Sequence, residues 1–311
     1  MVSEELIMLY LRHFGLQQTP FSLTPNTAFY VDLPQHHEAL EVLTTALNVG
    51  EGFIKVTGEV GTGKTMLCRK LMNEAADDWV IAYIPDPYLS PLELRWAFAA
   101  ELGLKQADTI DNQQLVQLLQ HRLVALAAEG KRVVLIIDEA QALPDDTLEA
   151  LRLLTNLETE QRKLLQVVLF AQPELDSRLA SYRFRQLRQR ITFSGQLALL
   201  SRTQVAAYLQ QRLRQAGAQR PLFSRAALNA LSRYSRGIPR LVNILAHKAL
   251  LLAFGEGKAQ ASYGHVRLAA IDTEDVRPKP LRWWYSAAAA MALTAVALAA
   301  SRPWWQNWSL L

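Results

Sequence analysis

Cysteine occurs once in the 311 residues, at Cys68, so no disulfide can form within the chain. Leu67 and Leu71 flank that thiol on a helical stretch, and it reads as a small buried apolar group rather than a nucleophile. H-E-x-x-H and G-x-S-x-G patterns are missing. His36 and His37 have no Cys, His or carboxylate partner at ligand spacing, so a zinc site is excluded. No repeat of fixed period occurs, which excludes a solenoid or propeller. Met1 to Leu11 lack the basic residues of a secretory leader and carry two glutamates instead, so the catalytic part is expected in the cytoplasm. Strong net charge is also missing: the balance is +4, which permits DNA or an anionic membrane surface and requires neither. Half the residues are hydrophobic and a fifth charged, which excludes global disorder and supports about two domains.

What the chain does contain is a phosphate-binding loop. Gly58-Glu59-Val60-Gly61-Thr62-Gly63-Lys64-Thr65 satisfies G-x-x-x-x-G-K-[ST] at every fixed position, with Met66 following. The apolar run Phe53–Thr57 precedes it and a helical stretch follows, which is the context this loop needs. Glycines let backbone N–H groups converge on an anion, and the helix adds its positive end. ATP is the expected substrate of Gly58 to Met66. Lys64 reaches the β- and γ-phosphates, and the Thr65 hydroxyl ligates Mg2+.

Apolar runs at 53–57, 79–84, 132–137, 164–170 and 191–194 alternate with helical periodicity at 35–49, 91–102, 112–129 and 145–159. That alternation predicts a doubly wound α/β core over 35–199. Residues 1–34, rich in Pro, Phe and Thr, read as ordered loop with little helix that contributes to the nucleotide site. From 200 to 275 the pattern is helical without strands, with breaks at Gly217, Gly237-Ile238-Pro239 and Gly255-Glu256-Gly257. It predicts a helical lid over 202–216, 224–235, 239–253 and 263–271.

The carboxy-terminal segment differs. Ala287 to Ala300 carries no charge, with Trp283-Trp284-Tyr285 before it and Trp304, Trp305 and Trp308 after it. Residues 283–305 as a helix would measure about 34 Å, enough to cross a bilayer. Arg277, Lys279 and Arg282 stand on one side and Arg302 on the other, so the core is expected on the cytoplasmic face. The expectation is a linker at 276–282, a membrane helix at 283–305 and a short external tail at 306–311.

Asp138-Glu139 ends the buried run 132–137, at the carboxyl end of a strand where open α/β sheets bind ligands. Asp138 suits a magnesium ion held through water, and Glu139 suits a general base. Together with the loop at 58–65, Leu135-Ile136-Ile137-Asp138-Glu139-Ala140-Gln141 resembles the AAA+ ATPases, and among them the ExeA/GspA-type general secretion ATPases. His13-Phe14-Gly15-Leu16, Pro20-Phe21-Ser22-Leu23-Thr24-Pro25 and Phe170-Ala171-Gln172-Pro173-Glu174-Leu175 share the resemblance. So do Gln186-Leu187-Arg188-Gln189-Arg190-Ile191 and Gly237-Ile238-Pro239-Arg240, so that it covers about residues 9–275.

The resemblance implies a P-loop AAA+ core with a parallel sheet, a helical lid and a carboxy-terminal transmembrane helix. It gives Gln172 the sensor 1 position and Arg240 the sensor 2 position. An arginine finger, acting on a neighbouring subunit's ATP, falls to Arg188 or Arg190 within a cluster that also holds Arg178, Arg183 and Arg185. Phe14, Phe21, Tyr30 and His37 stand where the family packs adenine. The partners implied are other copies of the chain, the inner membrane, and pilus or type II secretion proteins, with no specific nucleic acid. A DNA-directed AAA+ regulator and a non-hydrolysing ATP-gated scaffold are the competing readings.

Overall fold

Five short runs pair into one parallel sheet: β1 (Phe53–Gly58), β2 (Trp79–Ile84), β3 (Arg132–Ile137), β4 (Leu165–Ala171) and β5 (Phe193–Leu197). Their order across the sheet is β2-β3-β4-β1-β5. In this computed structural model residues 2–21, 31, 33–105, 111–157 and 163–276 are described. Strands β3 and β4 are almost uniformly apolar because both faces of the sheet are covered. Val133, Leu135 and Ile137 point into one layer, with α4 (Pro91–Glu101), α5 (Asn112–Ala128) and α6 (Asp145–Leu154). Val134 and Ile136 point into the other, with α2 (Pro34–Val49) and α3 (Lys64–Asn73).

Local chemistry sets several of the helix starts. Ser90 with Glu93, Asp111 with Gln114 and Ser201 with Gln204 each form a reciprocal capping box, and Pro91 occupies a first-turn position that needs no N–H. Short helices α7 (Glu174–Leu179) and α8 (Arg185–Arg190) bridge β4 and β5. Four helices then make the lid: α9 (Arg202–Gln215), α10 (Arg225–Ser235), α11 (Pro239–Gly255) and α12 (Tyr263–Ile271).

Residues 2–14 depart from the expected loop. They form a 13-residue helix, α1 (Val2–Phe14), because Tyr10 and Phe14 lie one turn apart and bury together against the lid. Tyr10 meets Phe14 edge-on at 5.2 Å and Phe254 of α11 at 5.9 Å. The buried Arg212 donates from Nε to the Pro20 carbonyl at 2.9 Å, and the Gln17 amide donates to the Ala216 carbonyl at 2.8 Å. The amino-terminal segment is thereby stapled to the lid. Helix α6 stops at Leu154, short of the expected 159.

The expected membrane span is also corrected. Residues 283–305, with the linker and tail around them, lie outside the described residues. Among the described residues no helix is long and apolar enough to cross a membrane. The longest, α5 and α11, have 17 residues each, or about 26 Å, against a hydrocarbon core of about 30 Å.

Candidate nucleotide site

The loop between β1 and α3 opens at the carboxyl edge of the sheet. Two of its glycines are required. Gly61 has φ +81°, and a Cβ there would lie 2.6 Å from Cβ of Arg240. Gly63 has φ +103°, and a Cβ there would lie 2.9 Å from Nε2 of His36. Both crowding side chains belong to elements packed on the loop. The Arg240 amide, in the first turn of α11, donates to the Gly61 carbonyl at 3.1 Å. His36, buried on α2, pairs Nε2 with the Thr62 carbonyl at 2.9 Å. Lid and helix α2 therefore both grip the loop by its backbone. Gly61→Ala is expected to destabilise the protein by about 1–3 kcal/mol, through a positive-φ penalty and overlap with Arg240. A thermal melt checks it, and an unchanged midpoint contradicts the lid contact.

Lys64 is buried, 4% exposed, and its ammonium donates to the carbonyls of Gly58 at 2.8 Å and Glu59 at 3.2 Å. Burial pushes its pKa below the usual lysine range, while Glu139, Asp138, Glu59 and Glu174 push it back up. Asp138, 3% exposed, is pushed up by burial and held down by hydrogen bonds from the Thr65 hydroxyl and the Glu139 amide, and by Lys64. Thr65 and Asp138 thus already face one another across the gap between α3 and β3.

Strand β4 lies between β1, which feeds the loop, and β3, which ends in the two carboxylates. The inserted strand places Gln172, just past its end, between the loop and the carboxylates. Gln172 Nε2 donates to Glu139 Oε2 at 3.0 Å. Burial raises the Glu139 pKa, but the amides of Gln172 and Gln141 and the charge of Lys64 outweigh it and leave the net shift downward. Glu139 sits at φ +49°, one of two non-glycine residues with positive φ among the described residues. Such a backbone costs about 1–3 kcal/mol and persists only where its surroundings hold it.

These residues fit Mg2+ and a nucleoside triphosphate. Among the described residues no group of three or more His, Cys, Asp or Glu could cage a metal. A pair such as Thr65 and Asp138 suits magnesium, which keeps waters and takes its remaining ligands from phosphates.

Other expected positions spread more widely. Phe14 and Phe21 are core residues of the lid cluster, and Tyr30 lies outside the described residues. His37 is exposed and pairs with Glu41 at 3.3 Å, so it is the neighbouring His36 that meets the loop. In the arginine cluster, Arg178 is tied inward to the carbonyls of Gln141 and Leu143. Arg183 bonds Asp145 and Asp146. Arg188 and Arg190 are exposed on α8, donating to the Ala180 carbonyl at 3.2 Å and the Thr155 hydroxyl at 3.3 Å. Gln141, quoted above only as part of a motif, proves to be a direct neighbour of Glu139. No sequence signal marked it out, because its partner Gln172 is 31 residues away.

An AAA domain model matches residues 47–179. General secretion pathway protein A of Aeromonas hydrophila is 42% identical over 297 residues, which is 96% of this chain and 54% of that protein. The chain is an AAA+ ATPase related to the ExeA/GspA general secretion family. It spans about half the length of that relative. Solved structures with the same fold include Cdc6p of Pyrobaculum aerophilum, with a TM-score of 0.62 and 18% identity over 79% of this chain and 70% of that one. Aeropyrum pernix ORC1 in complex with DNA matches with a TM-score of 0.61 and 19% identity over 82% of this chain and 69% of that one. Thermotoga maritima RuvB, a Holliday junction branch migration motor, gives 0.53 at 16% identity over 82% and 76%.

These findings correct part of what the sequence led us to expect of this AAA+ ATPase. Among the described residues no helix can span a bilayer. The membrane anchor and the single-pass inner-membrane location are accordingly not carried forward, and neither are the inner-membrane, pilus and secretion-system partners or the expectation of no specific nucleic acid.

Proposed function

We propose that this ATPase is a DNA-directed AAA+ switch. The observation that carries the reading is a division of charge between its two parts. Residues 200–276 hold eleven Arg and Lys against four Asp and Glu, a net +7, whereas residues 1–199 hold 18 against 25, a net −7. Arg202, Arg214, Arg220, Arg225, Arg233, Arg236 and Arg240 are all exposed in the lid. A basic lid beside an acidic core suits a phosphate backbone better than a neutral protein surface. The likeness to ORC1 in complex with DNA supports the same direction.

At the site, the proposed roles follow the geometry. Lys64 leaves the loop carbonyls and holds the β- and γ-phosphates, while Gly58 to Met66 wrap the chain of phosphates. Thr65 and Asp138 hold Mg2+, which when bound neutralises phosphate charge. Glu139 takes the proton of a water whose oxygen attacks the γ-phosphorus as the bond to ADP breaks. Gln172 orients that water, Arg240 reaches the γ-phosphate from the lid, and Arg188 or Arg190 of a neighbouring copy stabilises the transition state. Since Arg240 and Gly61 share a backbone contact, a change at the phosphates is passed to the lid through α11.

Duplex binding tests the DNA reading. If four phosphates are engaged, affinity is expected to fall about 100-fold between 50 and 200 mM salt. Replacing Arg214, Arg220 and Arg225 by Glu is expected to weaken binding and flatten that dependence while leaving ATP turnover intact. Absence of salt-dependent duplex binding by the purified protein overturns the proposal.

A further inference from the structure

Glu139 is held by two amides, and only one of them, Gln172, has a role so far. The other belongs to Gln141, which lies on the 3-10 turn Ala140–Ala142 directly after the base. Its Nε2 donates to Glu139 Oε2 at 2.6 Å. Its Oε1 accepts the Gln172 backbone N–H at 2.9 Å. That second bond decides which way the amide faces. A backbone N–H can only donate, so the Gln141 oxygen must turn toward Gln172, and its NH2 is left for the carboxylate. One side chain thus spans the gap between β3 and β4 and ties the base to the residue that also grips it.

Gln141 is itself anchored from behind. Its carbonyl accepts from Arg178 Nη1 at 2.8 Å, and Nη2 of the same guanidinium donates to the Leu143 carbonyl at 2.8 Å and to Asp145 Oδ1 at 2.5 Å. Three acceptors around one planar group fix the turn 140–143 against α7 and the start of α6. Such fixing matters here because Glu139 occupies the left-handed region, which a glutamate does not choose unaided. Both amides bond the same oxygen, Oε2, and this defines the direction in which the carboxylate presents Oε1.

We infer that Gln141 is a positioning residue for the base Glu139, and that Arg178 holds Gln141 in register. The inference rests on Glu139 acting as base. Gln141 touches neither nucleotide nor water in this scheme; it sets where the carboxylate points. Its loss therefore lowers turnover and leaves nucleotide affinity alone, whereas damage to the loop or the fold would lower both.

The experiment measures kcat and, separately, the Kd of a fluorescent ATP analogue with magnesium. Three variants of the full chain are used: Gln141→Ala, Gln141→Glu and Arg178→Ala. Gln141→Ala is expected to lower kcat about 10- to 100-fold, the scale of a misplaced reacting group, with Kd within about twofold of wild type. Gln141→Glu keeps size and shape but cannot donate to Glu139, and is expected to lose at least as much. Arg178→Ala is expected to lose less than Gln141→Ala, and combining the two is expected to add little to Gln141→Ala alone. The inference is overturned if Gln141→Glu keeps wild-type kcat, if kcat rises, or if Kd weakens in step with kcat. Glu139→Gln run beside them separates the two possible failures. Full turnover in that variant removes the base itself, whereas its loss of turnover beside an active Gln141→Glu removes only the positioning role.

Discussion

Lys64→Ala is expected to weaken Mg-ATP retention about 100-fold or more. A charge-assisted hydrogen bond is worth about 1.5–3 kcal/mol, and Lys64 is placed to make one to each of two phosphates. Each 1.4 kcal/mol is about tenfold in affinity, so two such bonds set the scale. The lysine is 4% exposed and already desolvated, so little of that interaction is screened. Its ammonium also donates to the Gly58 and Glu59 carbonyls, and removing it frees those acceptors. Equilibrium dialysis with labelled ATP and magnesium measures the effect, and a thermal melt confirms that the variant is folded. A folded variant that retains nucleotide like the wild type would remove the loop at 58–65 from the mechanism.

The opposite pattern is expected for Glu139→Gln: nucleotide held, turnover lost by about 10²–10⁴-fold. The replacement has nearly the same shape, and its amide oxygen can still accept from Gln141 and Gln172. What it lacks is a carboxylate that can take a proton. Because both donors bond one oxygen, the orientation survives the change and the chemistry does not. Single-turnover hydrolysis together with binding of the ATP analogue distinguishes this from a general loss of function. Wild-type turnover in this variant would show that another group activates the water.

The two predictions rest on different kinds of information. The loop from Gly58 to Thr65 is contiguous, so its spacing along the chain is also its spacing in space, and Lys64 was legible at once. The strands were nearly as plain, since 79–84 and 132–137 appear where their apolar runs place them. Helix α1 was less plain. The proline- and phenylalanine-rich stretch after it drew the whole amino-terminal segment into a loop reading, and only the lid surface explains why Tyr10 and Phe14 share a face. Phe14 and Phe21, two of the residues expected at adenine, lie instead in the lid core, because burying a phenylalanine is worth about 1.5–3 kcal/mol wherever the surface is available.

Sequence alone determined the phosphate loop, the acidic pair Asp138-Glu139, the alternation of strand and helix and the change to an all-helical lid. All of these are local patterns, set by covalent neighbours and by the periods of helix and strand. Tertiary structure decided that β4 lies between β1 and β3, that His36 and Arg240 close on the two glycines of the loop, and that Gln141 and Gln172 converge on one carboxylate oxygen. Apart from the bond of Gln141 to Glu139, two positions away, those contacts join residues 27 to 179 positions apart, and their distances follow from how a parallel sheet is ordered and how a lid docks, neither of which spacing along a chain encodes.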